Sequence, residues 1–395
     1  MMSTSQPFPR SLLQQPAAER LAYFKAYTVA HPTLVAADAA LERLIREPAG
    51  VTLVFVFGPT GVGKTTLRRR IEQRLCAEAS AEPQRDRGRL PAVGVEAVAP
   101  DSGTFRWRDY YVRALVALEA PLLGGVALPR DEERNCRATD RSARLLHRMA
   151  TAEVRRALEQ TLVQRRPAAF LIDEAQHLTK MASGRRFQDQ VDCLKSLASL
   201  TQTVHVLVGT YDLLALCDLN AQLRRRSADV HFPRYRAEHG EDLRAFKSVL
   251  WAFQRHLPVA TEPDLLDHWE FCYERSIGCV GILKEWLTRC LAAVLDAGEP
   301  TLSFPQLQRW ALAPAQCMKL IAEARDGEAQ RVEPLQSHAR LRAELGLPPA
   351  PASLPPSGAG GAGKPPPVAT QRTRHRRAGE RQPTRDPVGE CGHGT

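Results

Sequence analysis

The chain has 395 residues, is 44% hydrophobic and carries a formal net charge of +10. That length allows two or three domains with a sizeable core, and the basic balance suits a polyanionic partner. Nine cysteines with no CxxC pair argue against a disulfide framework or a zinc site, and together with a start lacking a signal-peptide pattern and no run of about 18 apolar residues they predict a cytoplasmic protein outside the membrane.

Residues 1–47 read as an N-terminal helical arm. Helices are expected over Ala17 to Tyr27 and Thr33 to Arg46, split by His31-Pro32. Leu34, Leu41, Leu44 and Ile45 fall at helical spacing, either to pack on a core or to dock a partner. VTLVFVF (51–57) then reads as a buried central strand, because a parallel strand covered on both faces is apolar throughout. It runs into GPTGVGKT (Gly58–Thr65), which fits G-x-x-x-x-G-K-[ST] at every fixed position, and Leu67 to Leu75 continues as helix. Strand, loop and helix in that order separate a phosphate loop from a plain glycine-rich turn. Glycines 58, 61 and 63 let backbone amides curl round a phosphate, and the helix N-terminus adds its dipole. Lys64 can reach the β- and γ-phosphates, and the Thr65 hydroxyl can ligate Mg2+. The whole loop of Gly58, Pro59, Thr60, Gly61, Val62, Gly63, Lys64, Thr65 and Thr66 is the expected nucleotide cradle.

Pro91 to Ala99 is expected as the second strand. DSGTFRWRDYYVRAL (101–115) interleaves Arg106 and Arg108 with Trp107 and Tyr110 before a helix. The arginines could grip a phosphate backbone, while the aromatics could equally be core. Ser142 to Arg166 reads as an arginine-rich helix. AAFLIDEAQHL (168–178) is an apolar strand ending in two acids: Asp173 is placed to hold Mg2+ and Glu174 to polarise an attacking water. TKMASGRRFQ (179–188) reads as a polar loop, with Lys180, Arg185 and Arg186 a second candidate phosphate contact, before a helix over Gln190 to Leu200. The strand VHVLV (204–208) ends in Gly209-Thr210, and Thr210 is either a sensor of the γ-phosphate or a helix N-cap. Arg224, Arg225 and Arg226 precede a last strand near Asp229 to Phe232. One of them could reach a neighbouring subunit's γ-phosphate.

From 236 to 326 the pattern is helical without strand alternation, which predicts a separate lid, and Lys284 near the start of a lid helix is a candidate second sensor. Residues 327–395 are expected to be a mostly disordered, proline-rich basic tail.

The phosphate loop, LIDEAQHL, the VGT strand end, LRRR before a final strand and a helical lid with G-x-x-G together resemble the AAA+ ATPases, and more narrowly the TniB/TnsC regulators of DNA transposition. The resemblance runs from about Tyr23 to Leu291 and implies an α/β fold: a parallel five-stranded sheet, then a helical lid. It implies ATP and Mg2+ as ligands, with Lys64 and Thr65 in the Walker A role, Asp173 and Glu174 in the Walker B role, Thr210 as sensor 1, Arg224–Arg226 as the finger region and Lys284 where many relatives have arginine. It also implies partners: duplex DNA bound without sequence preference, a transposase, a target-selection protein of the TniQ kind, and further copies of the chain in a ring or filament. A loader-like or secretion-associated ATPase, or a nucleotide switch with little turnover, would use the same motifs.

Overall fold

The structure is a computed structural model that describes residues 8–81, 86, 88–100, 105–120, 149–179, 185–217, 224–331 and 335–347. Its centre is a five-stranded sheet of β1 (Leu53–Phe57), β2 (Ala92–Glu96), β3 (Ala169–Asp173), β4 (Val204–Gly209) and β5 (Ser227–His231). All neighbouring strands are parallel, in the order β2-β3-β4-β1-β5. The apolar runs explain the middle of that order: β1, β3 and β4 are buried at every residue, as strands with helices on both faces must be. Phe57 pairs with Gly209 and His231, and Glu96 with Asp173. The carboxyl ends are therefore in register, and the segments that follow β1, β3, β4 and β5 emerge along one edge.

Alternation along β1 divides the core in two. Leu53, Phe55 and Phe57 face a cluster shared with α4 (Trp107–Ala117), α5 (Thr151–Arg165) and α6 (Arg185–Thr201). Val54 and Val56 face α2 (Pro32–Arg46) and α3 (Lys64–Ala81) through Leu34, Leu41 and Ile71. Each fully buried Leu or Phe contributes about 1.5–3 kcal/mol. α2 is further tied to α3 by Asp38, which accepts from Arg74 at 2.7 Å.

Beyond the sheet come α7 (Gly240–His256), α8 (Trp269–Ser276), α9 (Val280–Ala297) and α10 (Phe304–Trp310), packed round Phe246, Phe253 and Trp286. Phe24 of α1 (Ala17–Ala26) is fully buried in this same cluster. Both arm helices are thus packing elements: α1 belongs to the lid core and α2 to the sheet.

Two expectations need correction. α6 begins at Arg185, inside the stretch read as a polar loop. The tail does not start at 327, because α11 (Pro314–Arg331) runs past it and α12 (Leu335–Glu344) follows. Residues 1–333 form one compact unit and 334–395 a second. Residues 348–395 and the start of the expected helix at 142–148 lie outside the described residues. Cys76, Cys193, Cys272, Cys279, Cys290 and Cys317 are free thiols.

Candidate nucleotide site

The loop after β1 is held from two sides. Gly63 has φ +113°, where an L side chain is strained, and Gly61 has φ +75°. The Gly61 carbonyl accepts from the Ile282 amide of α9 at 3.0 Å. A Cβ at Gly281 would lie 2.4 Å from that same carbonyl, so the lid helix reaches the loop only because position 281 has no side chain. This gives the G-x-x-G of the lid its physical reason. On the other side a Cβ at Gly58 would meet the Phe232 carbonyl at 2.0 Å, which seats the loop against the chain leaving β5.

Lys64 opens α3, and its ammonium donates to the carbonyls of Pro59 at 2.8 Å and Gly58 at 3.0 Å. Burial lowers its pKa to about 8, against the upward pull of Cys279, Glu174 and Asp173. A polyanion in the loop would supply this cation with the charge it lacks. Thr65 and Thr66 follow on the first turn of α3.

Asp173 closes β3. Its Oδ1 accepts from the Glu174 amide at 3.0 Å and its Oδ2 from Arg68 Nε at 3.1 Å. Arg68 also donates to Glu72 at 2.7 Å, and Glu72 accepts from the Gly94 amide at 2.9 Å, so α3, β2 and β3 are locked together behind the carboxylate. Glu174 has φ +51°, a left-handed conformation unusual for a glutamate, of the kind that concentrates at working sites. Thr210 sits at the end of β4, and its hydroxyl bonds the Asp212 carboxylate at 3.1 Å instead of capping the 3-10 turn that follows. The carboxylate and hydroxyl oxygens of Asp173 and Thr65 are the hard donors that Mg2+ takes.

A cavity adjoins the loop, lined by Thr28, Val29, His31, Leu34, Gly63, Thr66, Phe232, Val280, Gly281 and Lys284 among others. Its walls come from the chain before β1, the loop, the exit of β5 and the lid. Sequence reading named Gly63, Thr66 and Lys284 from this set and missed Thr28, Val29, His31 and Phe232, since no motif marks them. The one available signal was the apolar spacing of the arm, which includes Leu34. His31 is 4% exposed, with Nδ1 3.0 Å from both the Tyr235 hydroxyl and Thr33 Oγ1, and burial lowers its pKa to about 4, so it is neutral at pH 7.

Lys284 lines this cavity together with Gly63 and Thr66 of the loop. Its ammonium donates to the Phe24 carbonyl and lies 3.5 Å from the centre of the Phe24 ring, with Phe253 at 5.3 Å. It joins α1 to α9 as a cation–π anchor, because α1 brings an aromatic ring and a helix-end carbonyl within its reach. Burial lowers its pKa to about 7.

Arg224, Arg225 and Arg226 are exposed just before β5, and Arg224 pairs with Asp229 at 2.8 Å. Because Ser227 pairs with Leu53, they lie at the opposite end of β1 from the phosphate loop, about 17 Å away for a five-residue strand. They cannot serve their own chain's loop.

Arg106 and Arg108 flank Trp107 at the start of α4, bordering a second cavity with Val98, Phe105 and Arg113. Tyr110 is buried and Trp107 packs edge-on against it and Phe105, so the aromatics of this segment are core. Lys180 lies outside the described residues.

Residues 49–216 match the family model described as an AAA domain. The chain has the P-loop AAA+ fold. No curated protein matches it. Among solved structures, the chain is similar to the Walker-type ATPase PABY2304 of Pyrococcus abyssi, at 15% identity and TM-score 0.43 over 78% of this chain and 77% of that one. It is similar to the ORC2 protein of Aeropyrum pernix in ADPNP–ADP complexes, at 14% identity and TM-score 0.45 over 79% and 71%. It is also similar to a chain of Drosophila ORC bound to DNA, at 16% identity and TM-score 0.41 over 88% and 77%. No helix among the described residues is long and apolar enough to cross a membrane.

Proposed function

We propose that this protein is an ATPase that assembles on duplex DNA as a regulator of transposition, linking a target-selection protein to a transposase and disassembling as ATP is hydrolysed. The observation that carries the reading is that the loop residues and the exposed arginines stand at opposite ends of the sheet. Lys64, Thr65, Asp173, Glu174 and Thr210 line the carboxyl edge, while Arg224–Arg226 are exposed at the amino edge of β5. A finger that cannot reach its own loop needs a second copy to act on, and a head-to-tail contact of that kind closes into a ring or runs on as a filament.

In the hydrolytic step Lys64 and the loop amides hold the triphosphate, and Glu174 accepts a proton from the attacking water. Thr65 and Asp173 would hold Mg2+, which neutralises charge on the phosphate oxygens when bound. The cavity between Val29, His31, Phe232 and the lid, beside Gly63 and Thr66 of the loop, would take the nucleobase. Arg106, Arg108 and Lys180 would contact phosphates along the duplex without reading bases, which makes binding salt-dependent. The transposition role rests on the resemblance of Gly58–Thr66, Ala168–Leu178, Val206–Thr210 and Gln222–Arg226 to that family.

The test is negative-stain microscopy and sedimentation with duplex DNA, with and without a slowly hydrolysed ATP analogue. Rings or filaments that need both ligands, and that persist with ordinary ATP in Glu174→Gln, are expected. Monomers under every condition would overturn the assembly reading and favour a switch.

A further inference from the structure

We propose that Gln176 is a positioning residue that ties the Glu174 carboxylate to the backbone of Thr210, so that the base and the sensor at the tip of β4 move as one unit; this rests on the ATPase reading above. Gln176 lies on the 3-10 segment Ala175–Thr179 directly after Glu174, and it is buried. Its carboxamide is used at both ends. Nε2 donates to Glu174 Oε2, and Oε1 accepts from the Thr210 amide at 3.3 Å. The orientation is fixed by chemistry. Turned over, the group would set its oxygen against a carboxylate and its NH2 against an N–H donor.

Few side chains can replace it. A glutamate would face Glu174 with a second acceptor, an asparagine is one methylene short, and an apolar residue would leave the Thr210 amide without this acceptor. The neighbouring residue is shaped to admit the group. A Cβ at Gly209 would lie 2.4 Å from Gln176 Oε1 and 3.2 Å from its backbone nitrogen. The glycine that ends β4 is therefore the space in which the carboxamide sits. The left-handed backbone of Glu174, at φ +51°, turns the chain so that Glu174 and Gln176 both face this point. With Oε2 held, Glu174 Oε1 remains to accept the proton of the water. A change at the tip of β4 reaches the base through two hydrogen bonds.

The test is a double-mutant cycle on the full-length protein, using Gln176→Met, which keeps length and volume but cannot bond, and Gly209→Ala, which keeps Gln176 but occupies its space. Turnover, KM for ATP, affinity for a fluorescent ATP analogue and thermal stability are measured for each. Either single change is expected to lower kcat about tenfold or more, with KM and analogue affinity within about twofold of wild type, and the double variant to be no slower than the slower single variant. Folded variants that turn over like wild type, or losses that multiply in the double variant, would overturn the coupling while leaving the ATPase reading intact. A wild-type protein that binds the analogue without turnover would overturn the ATPase reading, and this proposal with it.

Discussion

Lys64 is a cation held where water is scarce. Two loop carbonyls carry its ammonium, and burial still lowers its pKa to about 8. Phosphate oxygens offer what the carbonyls do not, a full negative charge, so the residue's stabilisation comes on binding. Lys64→Ala should weaken binding of a fluorescent ATP analogue by at least about tenfold, the scale of one buried charge-assisted bond, with little change in melting temperature. Equal affinity in titrations of the two proteins would remove Lys64 from the site. His205 makes the opposite case. It is fully buried in β4, its Nδ1 donates to the Thr203 carbonyl at 2.9 Å, and its Nε2 has no partner. Burial lowers its pKa to about 4, from 6.5 in the unfolded chain. Between those values the unfolded chain binds the proton and the folded one does not, so stability present above pH 6.5 is lost as pH falls toward 4. The loss is about 2 kcal/mol between pH 6.5 and 5. His205→Val should melt with a visibly smaller drop from pH 7 to pH 5 than wild type in calorimetric scans, and parallel curves would assign the acid sensitivity elsewhere.

Among the elements, the strands were legible because each apolar run is bounded by turn residues, and the phosphate loop because its glycines, lysine and threonine are adjacent in sequence. The order of the strands was not, since nothing local records which parallel neighbour a crossover selects. Lys284 and α11 show the same limit: their roles depend on partners far along the chain, Phe24 for the first and Arg234 for the second. Only the last residues of α11, 327–331, fall in the expected tail, because the sequence there is polar. The helix is held by Glu328, a buried carboxylate that accepts from Arg234 at 2.9 and 3.3 Å and from Arg236 at 2.9 Å. Gly327 lies against Tyr211, the residue after Thr210, where a Cβ would be 2.1 Å from the ring. Arg331 bonds His231 at the end of β5. The helix thus clasps the chain leaving β4 and β5. Glu328→Ala strands the buried Arg234 and should cost about 3–5 kcal/mol in urea unfolding, because an uncompensated buried charge remains. α11 should also become the first site of limited proteolysis. A loss under about 1 kcal/mol would mean that the pair contributes no more than an exposed one.

At the scale of the whole molecule, the decisive geometry is that one β-strand separates the loop from the arginines. If Arg224–Arg226 act on a neighbour, the two halves of the site can be supplied by different chains. A Lys64→Ala chain has arginines but no working loop. A chain with Arg224, Arg225 and Arg226 all changed to alanine has the loop but no finger. Each alone should hydrolyse ATP at a small fraction of the wild-type rate in the presence of duplex DNA. In a random one-to-one mixture, about a quarter of head-to-tail contacts join an intact loop to intact arginines, and the mixture should recover about a quarter of the wild-type rate. Recovery should fall on dilution below the concentration at which assemblies form, because the contact is between chains and not within one. A mixture that gives only the average of its two components, with both variants still binding DNA, would mean that the arginines do not complete a neighbour's site. The triple variant should keep wild-type affinity for the ATP analogue as a monomer, which separates loss of the finger from damage to the loop.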